Sequence, residues 1–227
     1  QIPVLMQPFA SSSPKLPAGY RLIRLETIDS TNAEARRRGE AGEPGPLWIW
    51  SLRQSAGRGR NGRQWQSQHG NLFASLLIGL NCPLSTAAQL ALLAGVVAID
   101  SAAKLLPREA RSELLLKWPN DILLKGGKVA GMLLESTSEA APNRCKVVIG
   151  TGFNLATFPP DLEQPATSLA AHGGTATPAA SFETLAAVTD ACSAARRGCL
   201  PDDIGTHIAG RSGQALHYAE RRSRGVG

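Results

Sequence analysis

The chain reads as an α+β domain whose mixed, largely antiparallel β-sheet is packed with helices. Three observations predict this. Short apolar or alternating segments outnumber the helical ones. A two-residue hairpin signal, Lys125-Gly126-Gly127-Lys128, joins two of them directly. Helices and strands follow no regular βαβ order, which argues against a doubly wound sheet.

Residues 1–19 are rich in Pro and Ser and form a loose lead-in. Tyr20 to Ile28 alternates apolar and polar residues, the pattern of a half-buried strand. Asp29-Ser30-Thr31-Asn32 supplies cap oxygens for a short helix that begins near Ala33 and ends at Gly39. After a Gly/Pro loop from Glu40 to Pro46, Leu47 to Leu52 is an apolar strand, and Asn71 to Leu80 is another. Ala87 to Leu106 is apolar around much of its circumference and reads as the main buried helix, closed by Pro107. Strands follow at Leu114 to Trp118, Ile122 to Leu124, Val129 to Glu135 and Lys146 to Leu155. Thr157 to Pro178 is a Pro/Gly/Ala-rich loop, and Ser181 to Cys192 is a capped helix with Ser181 to Glu183 as its polar start.

Composition bounds the function. With 227 residues, 43% hydrophobic and 19% charged, the chain can bury a sizeable core and is not disordered as a whole. The net charge of +6 suggests nucleic acid as a partner. Half of that excess lies in residues 193–227, and much of the remainder lies in one loop. A broad basic face is therefore not indicated, and aromatic residues at 5% offer no base-stacking platform. Cys82, Cys145, Cys192 and Cys199 have no C-x-x-C spacing and read as thiols of a reducing compartment. No apolar run reaches the roughly 18 residues of a membrane span, and the start lacks the features of a signal peptide. A cytoplasmic location is expected.

Four stretches carry chemistry. Gly57-Arg58-Gly59-Arg60-Asn61-Gly62-Arg63 alternates permissive glycines with arginines that cannot lose their charge, so neither helix nor strand should run through it. It reads as a clamp over an anion, or more plainly as a solvated basic loop. Gln54 and Trp65 flank it with an amide and an aromatic face. Asp29 to Asn32 offers hydroxyl and amide groups to a small polar ligand, or serves only as a helix cap. In Lys117-Trp118-Pro119-Asn120-Asp121, a lysine after three leucines meets an anion or lines a cavity, or else snorkels from a strand end. Lys128-Val129-Ala130-Gly131 and Gly150-Thr151-Gly152-Phe153-Asn154 place glycines inside strands, where a ligand or another backbone comes close. Gly150-Thr151-Gly152 does not open a helix and lacks the third glycine of a dinucleotide fingerprint. His69, His172, His207 and His217 have no metal-ligand spacing. Lysines, arginines and amides suit phosphate handling and charge stabilisation, not proton shuttling.

In this order, these stretches resemble the biotin protein ligases, from about Tyr20 to about Cys192. The resemblance implies a class II synthetase-like catalytic fold, the biotin/lipoate ligase type, over residues 20–192. It implies a two-step reaction in which biotin and ATP give biotinyl-5′-AMP, which then acylates a lysine of a biotin-carrier protein, usually the carrier subunit of acetyl-CoA carboxylase. By resemblance, Ser30, Thr31, Asn32, Gln54, Arg58, Gly59, Arg60 and Lys117 bind biotin. Arg58, Arg60, Arg63, Trp65, Asn120, Lys128 and Asn154 bind ATP and the adenylate, and Lys117 and Arg60 are the catalytic residues. Mg²⁺ is expected with ATP, with no protein ligand assigned to it. A sheet-edge homodimer is compatible with the resemblance. A lipoate ligase or lipoyl/octanoyl transferase shares this architecture, and a nucleic-acid-binding module or a catalytically inactive biotin-binding protein are further readings.

Three departures stand out. Asn61 takes a position where many relatives carry arginine. No helix-turn-helix precedes Tyr20, so a monofunctional ligase without DNA binding is expected. Residues 193–227 are Arg/Gly/Ser-rich where the family adds a small β-barrel, as a shifted reading frame or altered terminus would produce.

Overall fold

A computed structural model of the chain describes residues 13–137, 143–160 and 162–194. The expectations for the start of the lead-in and for the tail beyond residue 194 lie outside the described residues. Seven strands form one sheet: β1 (Arg21–Ile28), β2 (Leu47–Gln54), β3 (Leu72–Leu80), β4 (Leu114–Lys117), β5 (Asp121–Leu124), β6 (Gly127–Ser136) and β7 (Cys145–Phe153), in the order β1-β2-β3-β7-β6-β5-β4. β1 pairs parallel with β2, and every other neighbouring pair is antiparallel. The sheet is thus mixed and largely antiparallel, as the sequence predicts.

Helix α1 (Thr31–Glu40) lies on one face of the sheet, and α2 (Leu84–Ala87), α3 (Leu90–Leu105) and α4 (Pro178–Ala194) accompany the other. Ala35 of α1 packs on Leu47, Ile49, Leu77 and Val148, a small core of its own. Alternate residues of the same strands point the other way, so Trp48, Trp50, Leu72, Leu76, Val147 and Phe153 build the main core with α3 and α4. Phe182 of α4 is fully buried there, edge-on to Trp48 at 5.5 Å and parallel to Trp50 at 5.1 Å between ring centroids.

Several boundaries differ from the sequence reading. α1 begins two residues early, because Ser30 is the N-cap and its Oγ accepts from the Ala33 N–H at 3.4 Å. The segment expected as one helix over 87–106 is two, joined by a tightened turn in which Gln89 N–H donates to Thr86 C=O and Ala91 N–H to Ala88 C=O, each at 3.1 Å. Together they span the 22 residues Leu84–Leu105, an 18-residue window of which has mean hydropathy 1.6, apolar enough on composition to cross a membrane. In the fold this segment packs against the sheet and α4. α4 starts at Pro178, not Ser181: Thr177 caps it through Oγ1 to the Ala180 N–H at 3.2 Å, and Pro178 takes the first turn, where no donor is needed.

The turn between β5 and β6 has positive φ at Lys125 (47°) and Gly126 (83°), the geometry a two-residue hairpin requires. Beyond it β6 carries a bulge: Ile122 faces Ala130 while Leu123 faces Lys128, leaving Val129 unmatched. Without that extra residue Lys128 would share the core-facing side with Ala130; the bulge turns it to the opposite face.

Truncating Phe182 to Ala removes the ring that both tryptophans pack against and should lower the unfolding free energy by about 3–5 kcal/mol in urea denaturation. A loss below about 1 kcal/mol would show that the tryptophans and α4 are not held together by this ring.

Candidate functional site

The face that carries α1 is left open beyond the helix, and the register shows what lies there. One transverse row joins Lys117, Asp121, Gly131, Gly152 and Phe73 across β4, β5, β6, β7 and β3. The next row joins Leu133, Gly150 and Ser75. Glycine fills three of these positions because other side chains rest on them. A Cβ on Gly150 would stand 2.0 Å from Asn32 Oδ1, and one on Gly152 would stand 2.7 Å from Trp65 Cε2. One on Gly131 would stand 2.9 Å from Trp65 Cζ3. The strand glycines do mark a close approach, but it is made by side chains, Asn32 and the Trp65 indole, instead of another backbone.

Around Asn32 the first turn of α1 builds a polar pocket. Gln54 Oε1 accepts from Thr31 N–H at 2.8 Å and lies 3.1 Å from Thr31 Oγ1, while Gln54 Nε2 donates to Ser67 Oγ at 3.0 Å. Ser75 Oγ lies 2.8 Å from Thr31 Oγ1 and 2.6 Å from Asn32 Oδ1. Asn32 Nδ2 donates to Glu135 Oε2 at 2.8 Å and to Leu133 C=O at 3.3 Å. Ser30, Thr31 and Asn32 are each under 5% exposed, so these groups answer to one another rather than to water.

The Arg-Gly loop closes this pocket. Gly59 N–H donates to Arg63 C=O at 2.8 Å and Trp65 N–H to Gly57 C=O at 2.9 Å, folding the loop back on itself. A single 3-10 turn, Arg60–Gly62, runs through a stretch for which no helix was expected. Asn61 occupies the left-handed region there at φ 55°, where asparagine costs less than arginine. That offers a local reason for the departure at this position.

Three of the cations have a distinct neighbour. Arg58 Nη2 pairs with Glu135 Oε1 at 3.2 Å, and Lys128 Nζ pairs with Asp121 Oδ1 at 2.7 Å while lying 5.3 Å over the Trp65 ring. Arg60 Nη1 donates to Asn120 Oδ1 at 3.1 Å, and Asn120 is oriented by its own Nδ2 bond to Met132 C=O at 2.9 Å. The side chains of Arg63 and Lys117 have no ion-pair or hydrogen-bond partner among the described residues.

Two spaces result. The inner pocket, about 50 Å³, is lined by Ser30, Thr31, Asn32, Gln54, Arg58 and the β7 glycines. The outer cleft, about 750 Å³, is lined by Arg63, Lys117, Trp118, Asn154 and the loop before Ala166. Gly59, Arg60, Trp65, Asn120 and Lys128 line both and form the partition. The fold thus brings Ser30, Thr31, Asn32, Gln54 and Arg58 together. Lys117 and Arg63 stand on the outer side, and Lys117 does not line the inner pocket. Asn154 reaches the cleft, but its Nδ2 is spent on Lys128 C=O at 3.3 Å and Thr167 C=O at 3.1 Å, which tie down the loop after β7.

Ser75 and Glu135 escaped the sequence reading. Ser75 is the one hydroxyl in the apolar run Leu72–Leu80, a signal that was available. Glu135 sits at a strand end like many solvated acids, and nothing local marks it.

The residues lining both spaces include no histidine or cysteine, and no cluster of three or more His, Cys, Asp or Glu able to hold a metal occurs among the described residues. The arrangement can hold a polar group in buried amides and hydroxyls, and can offset negative charge with Arg60, Arg63 and Lys117.

Solved structures share this architecture. The biotin protein ligase from Leishmania major in complex with biotinyl-5-AMP superposes with TM-score 0.66 and 24% identity, covering 77% of this chain and 75% of that one. The biotin protein ligase from Aquifex aeolicus in complex with biotin and ATP gives TM-score 0.61 and 28% identity, covering 78% and 72%. In sequence, residues 25–154 match the Biotin/lipoate A/B protein ligase family, and the chain belongs to that family. The biotin--[acetyl-CoA-carboxylase] ligase of Paracoccus denitrificans is 43% identical over 135 residues, 60% of this chain and 55% of that protein. The chain spans about half the length of the curated relatives it matches.

Two measurements test the geometry. Gly152→Ala should lift the Trp65 indole off the sheet, raising acrylamide quenching of its emission, with no such change between Trp65→Phe and the double variant. Equal quenching in Gly152→Ala and the parent protein would mean that the ring does not rest on Gly152. Arg37 lies 2.8 Å from Asp29, beside the cap of α1, and its hydrogen bonds hold the Asp29 carboxyl down at about 2. A depressed folded value gives stability that is present above the ordinary value near 4 and is lost as pH falls through about 2. Asp29→Asn should lack that component of the acid-induced loss, and identical acid profiles for the two proteins would exclude it.

Proposed function

We propose that this chain is an ATP-dependent biotin protein ligase, which activates biotin to biotinyl-5′-AMP and transfers it to a lysine of a biotin-carrier protein. The observation that carries the reading is the partition itself. A buried pocket of hydroxyls and amides opens, past Arg60 and Lys128, into a cleft large enough for a nucleotide and lined by unpaired cations. A substrate with a hydrogen-bonding head, an apolar arm and an acid end fits that sequence of environments.

In this reading the ureido head of biotin is held by Ser30, Thr31, Asn32 and Gln54, whose donors and acceptors suit a group that is both. The carboxylate arrives at the partition, and ATP lies in the cleft. Joining two anions needs positive charge where negative charge develops on the α-phosphate, and Arg60 at the partition and Lys117 in the cleft supply it. Arg58 and Gly59 cover the biotin, Trp65 and Lys128 cover the nucleotide, and Arg63, Asn120 and Asn154 line its path. Trp65 Nε1 is buried without a hydrogen-bond partner among the described residues, a donor that a ligand could satisfy. The closed loop then keeps water from the mixed anhydride until the carrier amine attacks. Mg²⁺ enters on the ATP phosphates, held mostly through phosphate oxygens and water. We take the catalytic domain as residues 20–192, the acceptor as the carrier subunit of acetyl-CoA carboxylase, and the location as cytoplasmic.

A lipoyl substrate shares the acid end but has an apolar disulfide ring for a head. It brings no donor or acceptor to the polar groups around Asn32, which disfavours it. Biotin-dependent pyrophosphate–ATP exchange should therefore exceed lipoate-dependent exchange by at least about 100-fold, as expected when a site that hydrogen-bonds its substrate meets an analogue lacking those groups. Lys117→Ala and Arg60→Ala should each slow transfer to a carrier domain by about 100-fold or more. Unchanged rates in both variants would sink the assigned site, and exchange driven by lipoate alone would replace the assigned substrate.

A further inference from the structure

Glu135 stands behind the inner pocket, and none of the roles above uses it. Its side chain is only 17% exposed, and its two oxygens are divided between two tasks. Oε2 accepts from Asn32 Nδ2 at 2.8 Å; Oε1 pairs with Arg58 Nη2 at 3.2 Å and lies 4.0 Å from Arg36 Nη1. We propose that Glu135 is a positioning residue that sets the pocket before any ligand arrives, by fixing the polarity of the hydroxyl–amide chain and by tethering the first arginine of the loop.

The polarity follows from counting protons. Three oxygen–oxygen contacts, Thr31 to Gln54, Ser75 to Thr31 and Ser75 to Asn32, share only the two hydroxyl protons of Thr31 and Ser75. The chain could therefore run in more than one direction. A carboxylate can only accept, so Asn32 must turn Nδ2 toward Glu135, and its Oδ1 must then face Ser75. Ser75 donates to that oxygen, Thr31 is free to donate to Ser75, and Gln54 Oε1 keeps the Thr31 N–H. Glu135, together with the Leu133 carbonyl, thus fixes Asn32 and through it the direction of the Ser75 proton, while the Thr31 N–H fixes Gln54. The same group holds Arg58, which closes one half of the loop over the pocket, while Arg63 at the other end has no such hold. The tether is legible without a ligand; only its kinetic consequence rests on the biotin reading.

Glutamine at 135 separates these roles from bulk, because it keeps size and hydrogen bonding but can present either end and carries no charge. Limited trypsin digestion of the ligand-free protein, with cleavage sites assigned by mass spectrometry, compares cutting after Arg58 with cutting after Arg63. In Glu135→Gln that ratio should rise about fivefold or more at an unchanged thermal midpoint, as expected when one charge-assisted contact is lost. In biotin-dependent pyrophosphate exchange the KM for biotin should rise about tenfold while kcat stays within about twofold. An unchanged cleavage ratio overturns the tether, and an unchanged KM overturns the orienting role. If the variant does not fold, raising KCl on the parent protein should raise the same ratio by screening the ion pair, and a flat ratio overturns the tether. A parent protein without biotin-dependent exchange would refute the functional reading, while the digestion of the ligand-free protein would still decide the tether.

Discussion

Everything in the site depends on three missing side chains. Gly131, Gly150 and Gly152 leave bare backbone on one face of adjacent strands, so Trp65 and Asn32 can lie directly against the sheet. A methyl group at any of them would collide at 2.0–2.9 Å, a distance only a shift of the neighbour could relieve. The sheet thereby becomes a floor instead of a core surface. α1 ends the helical cover at one side of it, and the Arg-Gly loop supplies the cover at the other.

On that floor, charge is graded rather than uniform. In the inner pocket Arg58 is matched by Glu135, and at the partition Lys128 is matched by Asp121. At the partition Arg60 has only an amide oxygen, and in the cleft Lys117 and Arg63 have no ionic partner among the described residues. A neutral polar group is thus favoured within and an anion outside, since unmatched cations draw anions most strongly where few other groups neutralise them. The bulge in β6 is part of this grading. By turning Lys128 away from the core it places a cation over Trp65 and against Asp121, where register alone would have buried it.

Local chemistry explains why the sequence was informative about elements and less so about boundaries. Alternation in β1, the apolar run of β3 and the Lys125-Gly126 turn are local patterns, and each was legible. The start of α4 was equally local, yet Thr177-Pro178 was passed over for Ser181. The interruption between α2 and α3 has no Gly or Pro to announce it. It arises from backbone bonds tightening around Gln89, which composition does not encode.

The sequence by itself determined the α+β class, the loop, the strand glycines and the set of polar residues able to meet a ligand. These follow from residue type and spacing, which act over a few residues. Only the tertiary structure decided that Ser30, Thr31, Asn32, Gln54 and Arg58 share an inner pocket while Lys117 and Arg63 face an outer cleft. That division comes from strand register. Lys117 lies on the edge strand β4, three strands from Gly152 in the same row, at roughly 5 Å per strand. Glu135 was hidden for the same reason, because its partners are contributed by α1 and the loop; it lies 103 residues from Asn32 in the chain but adjacent in space.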